Sequence, residues 1–171
     1  MPSSEEPDTH TDPHSTDAGP SDGTDHARFP SRSQGDDTKN RAFAVEAARL
    51  LLDDKCHELV VLDVRGLSQV TDYIVIGSGT SDRQMRSALD DVAKLGAEQG
   101  FRSFRTNADE RATWLLADFV DVVVHLFEPN TRALYDLEML WGDADRVEWM
   151  RAGDRGRNRP DPYTDDGDQT A

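Results

Sequence analysis

Asp121 and His125 stand four residues apart in the run DVVVHLF, and Gly77-Ser78-Gly79 opens the run GSGTSDRQ. A Gly-Ser turn before a helix, with two carboxylates one residue apart on a nearby strand, is how nucleotidyl transfer holds divalent metal against a triphosphate. Gly77-Ser78 would be the turn and Asp121 the first carboxylate. The second position is Val123, and Asp118 lies on the preceding segment. A dinucleotide fingerprint needs a third glycine three places after Gly79. Asp82 stands there and would repel a pyrophosphate, and no Walker lysine follows. The glycines therefore read as a tight turn with close packing. His125 shares a strand face with Asp121, an arrangement that suits a general base oriented by a carboxylate. No nucleophile accompanies it, so a half-buried histidine bonded to backbone or to Asp121 is the expectation. Cys56 and His57 are neighbours in sequence, which suits a structural thiol better than a catalytic pair. Asp63, Asp72 and Asp118 fall at strand ends as turn or cap residues. No catalytic residue, metal-ligand set or cofactor is assigned.

A different chemistry is written into TWLLADFVDVVVHLFEPNTRALYDLEMLW, Thr113 to Trp141. It reads as strand, strand, helix. Thr113–Phe119 and Asp121–Glu128 are β-prone, and Pro129-Asn130 ends the second strand. Asn130 would cap a helix whose Ala133, Leu134, Leu137, Leu140 and Trp141 recur as a core-facing stripe. Alternate strand side chains share a face. Leu115, Ala117 and Phe119 therefore face one way, and Trp114, Leu116 and Asp118 the other. Tyr135, Glu138 and Met139 fall together on the helix, away from the leucine stripe. Two surfaces mixing aromatic, aliphatic and acidic groups suit protein binding. These residues alone leave a second reading open, in which Trp114 and Tyr135 are aromatics at the rim of the core.

The elements that must carry these surfaces follow from periodicity. A first helix is expected from near Asn40 to Asp54, with Phe43, Ala47, Leu50 and Leu51 on one side. Strands are expected at Leu59–Val64 and Asp72–Gly77, antiparallel across the short link between them. Ser81 and Gln84 form a capping-box pattern. Met85, Ala88, Leu89, Val92 and Leu95 continue as a helix that ends near Gly100. A third strand over Phe101–Thr106, reached by a crossover, should run parallel to the second. The order α, β, β, α, β, β, β, α predicts an α+β domain, a mixed sheet of about five strands covered by helices.

The 171 residues carry 34 acids and 19 bases, a net charge of −15. Such a chain is repelled by phosphate backbones and anionic membranes and attracts basic proteins. Neither a nucleic-acid nor a membrane partner is expected. The N-terminus lacks the basic start and apolar core of a secretory signal, and a cytoplasmic location is the expectation. The lone Cys56 has no disulfide partner in the chain. Residues 1–39 hold nine acids and three bases, with Phe29 the one large apolar side chain beyond Met1. That composition cannot offset chain entropy, so 1–39 read as a disordered acidic tail. His10, His14 and His26 are scattered through it. Residues 151–171, with five acids and four bases, read as a second disordered tail. The domain between, 40–150, keeps 20 acids against 12 bases, a net of −8.

The run LDVRGLSQVTDYIVIGSGTSDRQ, Leu62 to Gln84, together with WLLADFVDVVVHLF and LYDLEMLWGDA, resembles the ribosomal silencing factor family (RsfS, also called Iojap). The resemblance spans about Lys39 to Trp149 and rests on several blocks in the right order. It implies a nucleotidyltransferase-like core that has lost catalysis, in keeping with Val123. It further implies a factor that binds the fourteenth protein of the large ribosomal subunit, on the face that meets the small subunit. There it would block subunit joining and lower translation when nutrients are short. On this resemblance Trp114 is the first contact residue, then Asp118 and Tyr135; strand alternation and helical spacing add Leu116, Glu138 and Met139 to the same surface. Trp141 belongs to the same motif but lies on the apolar stripe. A homodimer of the free factor is left open. The alternative is a metal-dependent nucleotidyltransferase or nucleotide-binding protein, against which Val123 and Asp82 both stand.

Overall fold

Asp36 opens the first helix. Its side chain accepts a hydrogen bond from the Thr38 amide at 3.0 Å and caps helix α1, Asp37–Asp53. The expected start near Asn40 is therefore three residues late. Asp36 and Asp37 sit in a polar run, where a cap residue looks like more tail. The computed structural model describes residues 36–103, 112–160 and, as backbone, 105–108. The disorder expected for the two tails falls outside these residues at 1–35 and 161–171.

From α1 the chain forms β1 (His57–Asp63), β2 (Tyr73–Ser78), α2 (Asp82–Glu98), β3 (Arg105–Ala108), β4 (Trp114–Asp118) and β5 (Val122–Phe127). Then come α3 (Pro129–Tyr135), α4 (Leu137–Leu140), β6 (Asp145–Arg146) and α5 (Asp154–Arg157). The mixed α+β sheet is present, with the two-residue β6 added as a sixth strand in the order β3-β4-β5-β2-β1-β6. β1 and β2 pair antiparallel as expected. β3 runs in the direction of β2 but does not neighbour it. The crossover through α2 passes over β5 and β4, and β3 pairs antiparallel with β4 at the edge. Central β2 is buried along its whole length, because both faces of the sheet are covered there.

The front face carries the main core. Tyr73, Val75, Leu115, Ala117, Val122, Val124 and Leu126 meet Phe43, Ala47 and Leu51 of α1 and Met85, Leu89 and Val92 of α2. Phe119, just past β4, packs edge-on to Phe43 with ring centroids 4.9 Å apart, and Phe101 stacks on Phe43 at 4.4 Å. Gly96 makes that approach possible. A Cβ there would lie 2.8 Å from the Phe119 ring. The back face carries a smaller cluster of Leu62, Val64, Ile74, Ile76 and Phe127. Trp114, Leu137, Trp141 and Ala144 lie against it, half-buried.

The domain edge expected at Met150 also moves outward. Asn158 completes the exposed rim of β1: its Oδ1 accepts from the Leu59 amide at 2.6 Å and its Nδ2 donates to the Leu59 carbonyl at 3.1 Å. Arg151 and Arg157 both donate to Asp53 at the end of α1, at 3.0 and 2.9 Å. Arginines that looked like a solvated run have partners far away in sequence, which composition does not show.

Candidate functional site

Strand alternation puts Trp114, Leu116 and Asp118 on the back face, as expected, all half-buried, while Leu115 and Ala117 enter the core. Their partners across the antiparallel ladder are Phe127, His125 and Val123. Directly opposed residues share a face, so the aromatic rings gather. Trp114 stacks on Phe127 with centroids 5.2 Å apart and on His125 at 5.8 Å. It also meets Tyr135 of α3 at 4.7 Å. The strand strip and the helix face are thus joined through Trp114.

His125 finds its partner here rather than at Asp121. The Trp114 indole Nε1–H donates to His125 Nδ1 at 3.2 Å. An indole is a donor only, so Nδ1 is the bare nitrogen and Nε2 carries the proton. Burial pushes the imidazole down to about 4, against the opposing pull of the Asp118 carboxylate. Asn40 Nδ2 donates to Asp72 Oδ2 at 3.2 Å. Burial, with that nearby Asp72 charge, raises the pKa of Asp121. Asp118 also serves its own loop. Its Oδ1 accepts from the Val120 amide at 2.8 Å and holds the turn into β5, where Val120 has φ 74°.

The helix beyond β5 departs from expectation. Glu128, not Asn130, is the N-cap, and Pro129 takes the first helical position, where its missing N–H is not needed. The single amphipathic helix expected to run on to Trp141 is broken at Asp136. Asp136 adopts φ 42°, ends α3, and caps α4 by accepting from the Met139 amide at 3.3 Å. Aspartate tolerates the left-handed region because its short polar side chain bonds locally. The break divides the leucine stripe. Leu137 and Trp141 turn to the sheet. Leu134 is left 80 % exposed and Leu140 70 %, beside Met139 at 79 % and Tyr135 at 50 %. Leu134 and Leu140 thus join the candidate surface. Helical spacing had put them in the core, and no glycine marks the break.

Glu138 behaves differently from the other candidates. It is ion-paired with Arg132, whose Nε donates to its Oε1 at 2.9 Å. Arg132 Nη1 also donates to Ser78 Oγ, and Nη2 to the Glu58 carbonyl, each at 2.8 Å. Of the six residues expected to bind a partner, Trp114, Leu116, Asp118 and Tyr135 gather on and around the back of β4. Met139 projects from α4, and Glu138 is turned to an internal cation.

The Gly-Ser turn is occupied by packing. A Cβ on Gly77 would lie 2.5 Å from a Leu59 methyl, and Ser78 is buried with its hydroxyl held by Arg132. The capping box is present in modified form. Ser81 Oγ accepts from the Gln84 amide at 3.2 Å, Gln84 Oε1 accepts from the Thr80 amide, and Gln84 Nε2 donates to the Asp54 carbonyl and lies 3.2 Å from Cys56 Sγ. Burial raises the Cys56 thiol to about 12, so it is no nucleophile at neutral pH. Among the described residues no three or more His, Cys, Asp or Glu side chains come together to hold a metal ion. No described helix is long and apolar enough to cross a membrane.

Comparison with known proteins converges on one family. The family model described as "ribosomal silencing factor during starvation" matches residues 37–170. The ribosomal silencing factor of Halalkalibacterium halodurans is 41 % identical over 109 residues, 64 % of this chain and 93 % of that one. The mouse protein named mitochondrial assembly of ribosomal large subunit protein 1 is 35 % identical over 95 residues, 54 % of this chain and 42 % of that one. A crystal structure of a Chromobacterium violaceum protein superposes with a TM-score of 0.56 at 28 % identity, covering 68 % of this chain and 94 % of that one. One from Bacillus halodurans gives 0.54 at 35 % identity, covering 66 % and 99 %.

Proposed function

This chain belongs to the ribosomal silencing factor family, and on that premise we propose that it is a ribosome-associated repressor of translation rather than an enzyme. It docks on the large subunit through the subunit's fourteenth protein, on the face that meets the small subunit. Its bulk keeps the small subunit away and lowers translation when nutrients are short. The mouse relative, named for assembly of the large subunit, supports a large-subunit partner.

The observation that carries the docking surface is the meeting of Trp114 and Tyr135 at 4.7 Å. It turns a strand strip and a helix face into one surface, rimmed by Leu134, Met139 and Leu140 and accompanied by Asp118. Large aromatics surrounded by apolar groups are the usual anchors of protein interfaces. A domain of net charge −8 steers toward a basic protein and away from bare RNA. Nucleotidyl transfer has no observation in its favour, since Val123 stands in place of the second carboxylate and Ser78 is engaged by Arg132.

Sucrose-gradient fractionation of a cell lysate tests the reading. The protein should travel with free large subunits and be absent from joined ribosomes. Its association should be faster at low salt, because exposed charges are screened over about 10 Å at 0.1 M. Tight, salt-sensitive binding to protein-free ribosomal RNA, or metal-dependent nucleotide turnover lost in Asp121→Ala, would overturn it.

A further inference from the structure

α3 and α4 have no buried residue of their own, yet they carry the most exposed apolar side chains beside the aromatic cluster. Two short helices joined at a left-handed residue do not hold a fixed position by backbone bonding alone. One side chain on them is nearly enclosed. The Arg132 side chain is 12 % exposed, and its guanidinium reaches three separate places. Nε and Nη2 meet Glu138 on α4, Nη1 meets Ser78 Oγ at the end of β2, and Nη2 meets the Glu58 carbonyl in β1.

The Glu58 carbonyl is available because β1 is irregular there. Glu58 has φ 51°, the ladder to β2 shifts register between His57 and Val60, and the Glu58 amide donates to the Asn158 carbonyl instead. The planar fork of a guanidinium suits such simultaneous bonding, whereas an ammonium does not. The Arg132 carbonyl also accepts from the Asp136 amide, at the very residue that breaks the helix.

We propose that Arg132 is the positioning residue of the docking surface: by tying Glu138, Ser78 and the Glu58 carbonyl together it holds α3 and α4 in register with Trp114, and Glu138 acts through Arg132 rather than by touching the partner. This rests on the docking reading above. It reassigns the acid that helical spacing placed on the binding face. A preorganised surface spares the partner the cost of ordering it, so loss of the tie weakens docking without removing a contact.

A double-mutant cycle decides between tie and contact. Arg132→Ala, Glu138→Ala, the double variant and Glu138→Gln are compared with Trp114→Ala by equilibrium binding to purified large subunits, with thermal melts and native-state hydrogen exchange alongside. Each alanine variant should lose roughly tenfold in affinity, a typical cost of ordering a surface during binding. The double variant should be no worse than Arg132→Ala alone, because Glu138 acts only through Arg132, and Glu138→Gln, which still accepts from Arg132, should stay within about twofold of wild type. Amides of Asp136–Leu140 should exchange faster in the alanine variants, while those of Val122–Phe127 stay protected.

Additive losses, with Glu138→Gln as weak as Glu138→Ala, would mean that Glu138 meets the partner directly and would overturn the proposal. Unchanged exchange at α4 would do the same. If Trp114→Ala binds weakly and Arg132→Ala normally, the positioning role falls while docking stands. If Trp114→Ala binds normally, docking falls and positioning with it. Should Arg132→Ala fail to fold, Glu138→Ala, which leaves Arg132 bonded to Ser78 and Glu58, carries the same test.

Discussion

On the front of the sheet α1 and α2 press Phe43, Leu51, Met85, Leu89 and Val92 into β2, β4 and β5 until these side chains are almost wholly out of water. On the back, α3 and α4 cover a cluster of Leu62, Val64, Ile74, Ile76 and Phe127 and stop short of the edge. Trp114, Leu116 and Asp118 are left half-open, with Leu134, Met139 and Leu140 outside them. Both faces are built by the same strands with the same alternation. The difference lies in the helices: α1 and α2 each run 17 residues, whereas α3 and α4 run 7 and 4. Long helices bury a full stripe, and short broken ones cannot. Stability should therefore sit on the front and binding on the back.

The strongest way to break that division is Phe119→Ala. Phe119 fills the contact between α1, α2 and β4, so its loss should cost ~3–5 kcal/mol of folding free energy. Chemical denaturation should show it, and the fraction still folded should bind large subunits normally. A stable Phe119→Ala that binds poorly would mean that the front face also serves the partner.

Acid should act on the back face first. His125 is held neutral by burial and by the Trp114 indole, with a folded-state pKa of about 4 against an ordinary 6.5. The unfolded chain therefore takes up the proton more readily. The stability involved is fully present above pH 6.5 and is lost as pH falls toward 4, amounting to about 3 kcal/mol at the lower limit. In His125→Gln, which still accepts from Trp114, stability should be flat across that window apart from the carboxylates. An equal acid loss in the variant would place the sensitive group elsewhere.

Trp114→Ala compares the faces within one strand. Its ring lies half-open on the back, so the melting temperature should fall less than in Phe119→Ala. Affinity for large subunits should drop by ~2 kcal/mol, roughly thirtyfold, the scale of an aromatic hot spot. If instead Trp114→Ala melts as early as Phe119→Ala while its folded fraction binds normally, Trp114 is a core residue.

The front face was legible in the sequence. Phe43, Ala47 and Leu51 recur at helical spacing, β4 alternates cleanly, and Phe119 falls on the core side where alternation puts it. The strip Trp114, Leu116, Asp118 was legible for the same reason. What failed was local. The break at Asp136 depends on one aspartate adopting φ 42°, a conformation that its residue type permits but does not announce. Two leucines therefore moved from expected core to surface, and Glu138 from surface to ion pair. The partners of Arg132, Arg151 and Arg157 also escaped notice, because a long cation's acceptor is set by tertiary placement. The route of β3 failed for a related reason: a crossover sets strand direction but not how many strands it passes.

The smallest expected effect on stability gives the sharpest comparison. Leu134 and Met139 are the two most exposed large side chains on the short helices. Replacing both with serine removes apolar surface that folding scarcely buries, so stability should move by no more than about 0.5 kcal/mol per site. Serine has a somewhat lower helix propensity than leucine or methionine, by a few tenths of a kcal/mol, which fits within that margin. If the back face meets only water, binding is untouched as well. If it is the docking surface, the same two side chains are buried when the subunit binds, and the pair should lose about 1 kcal/mol or more of affinity, fivefold upward. Melting curves and co-sedimentation on a single preparation separate the outcomes. Lost affinity at unchanged melting temperature places function on the open face. Unchanged affinity at unchanged melting temperature would leave Leu134 and Met139 without a role in docking and shrink the surface to Trp114, Leu116, Asp118, Tyr135 and Leu140.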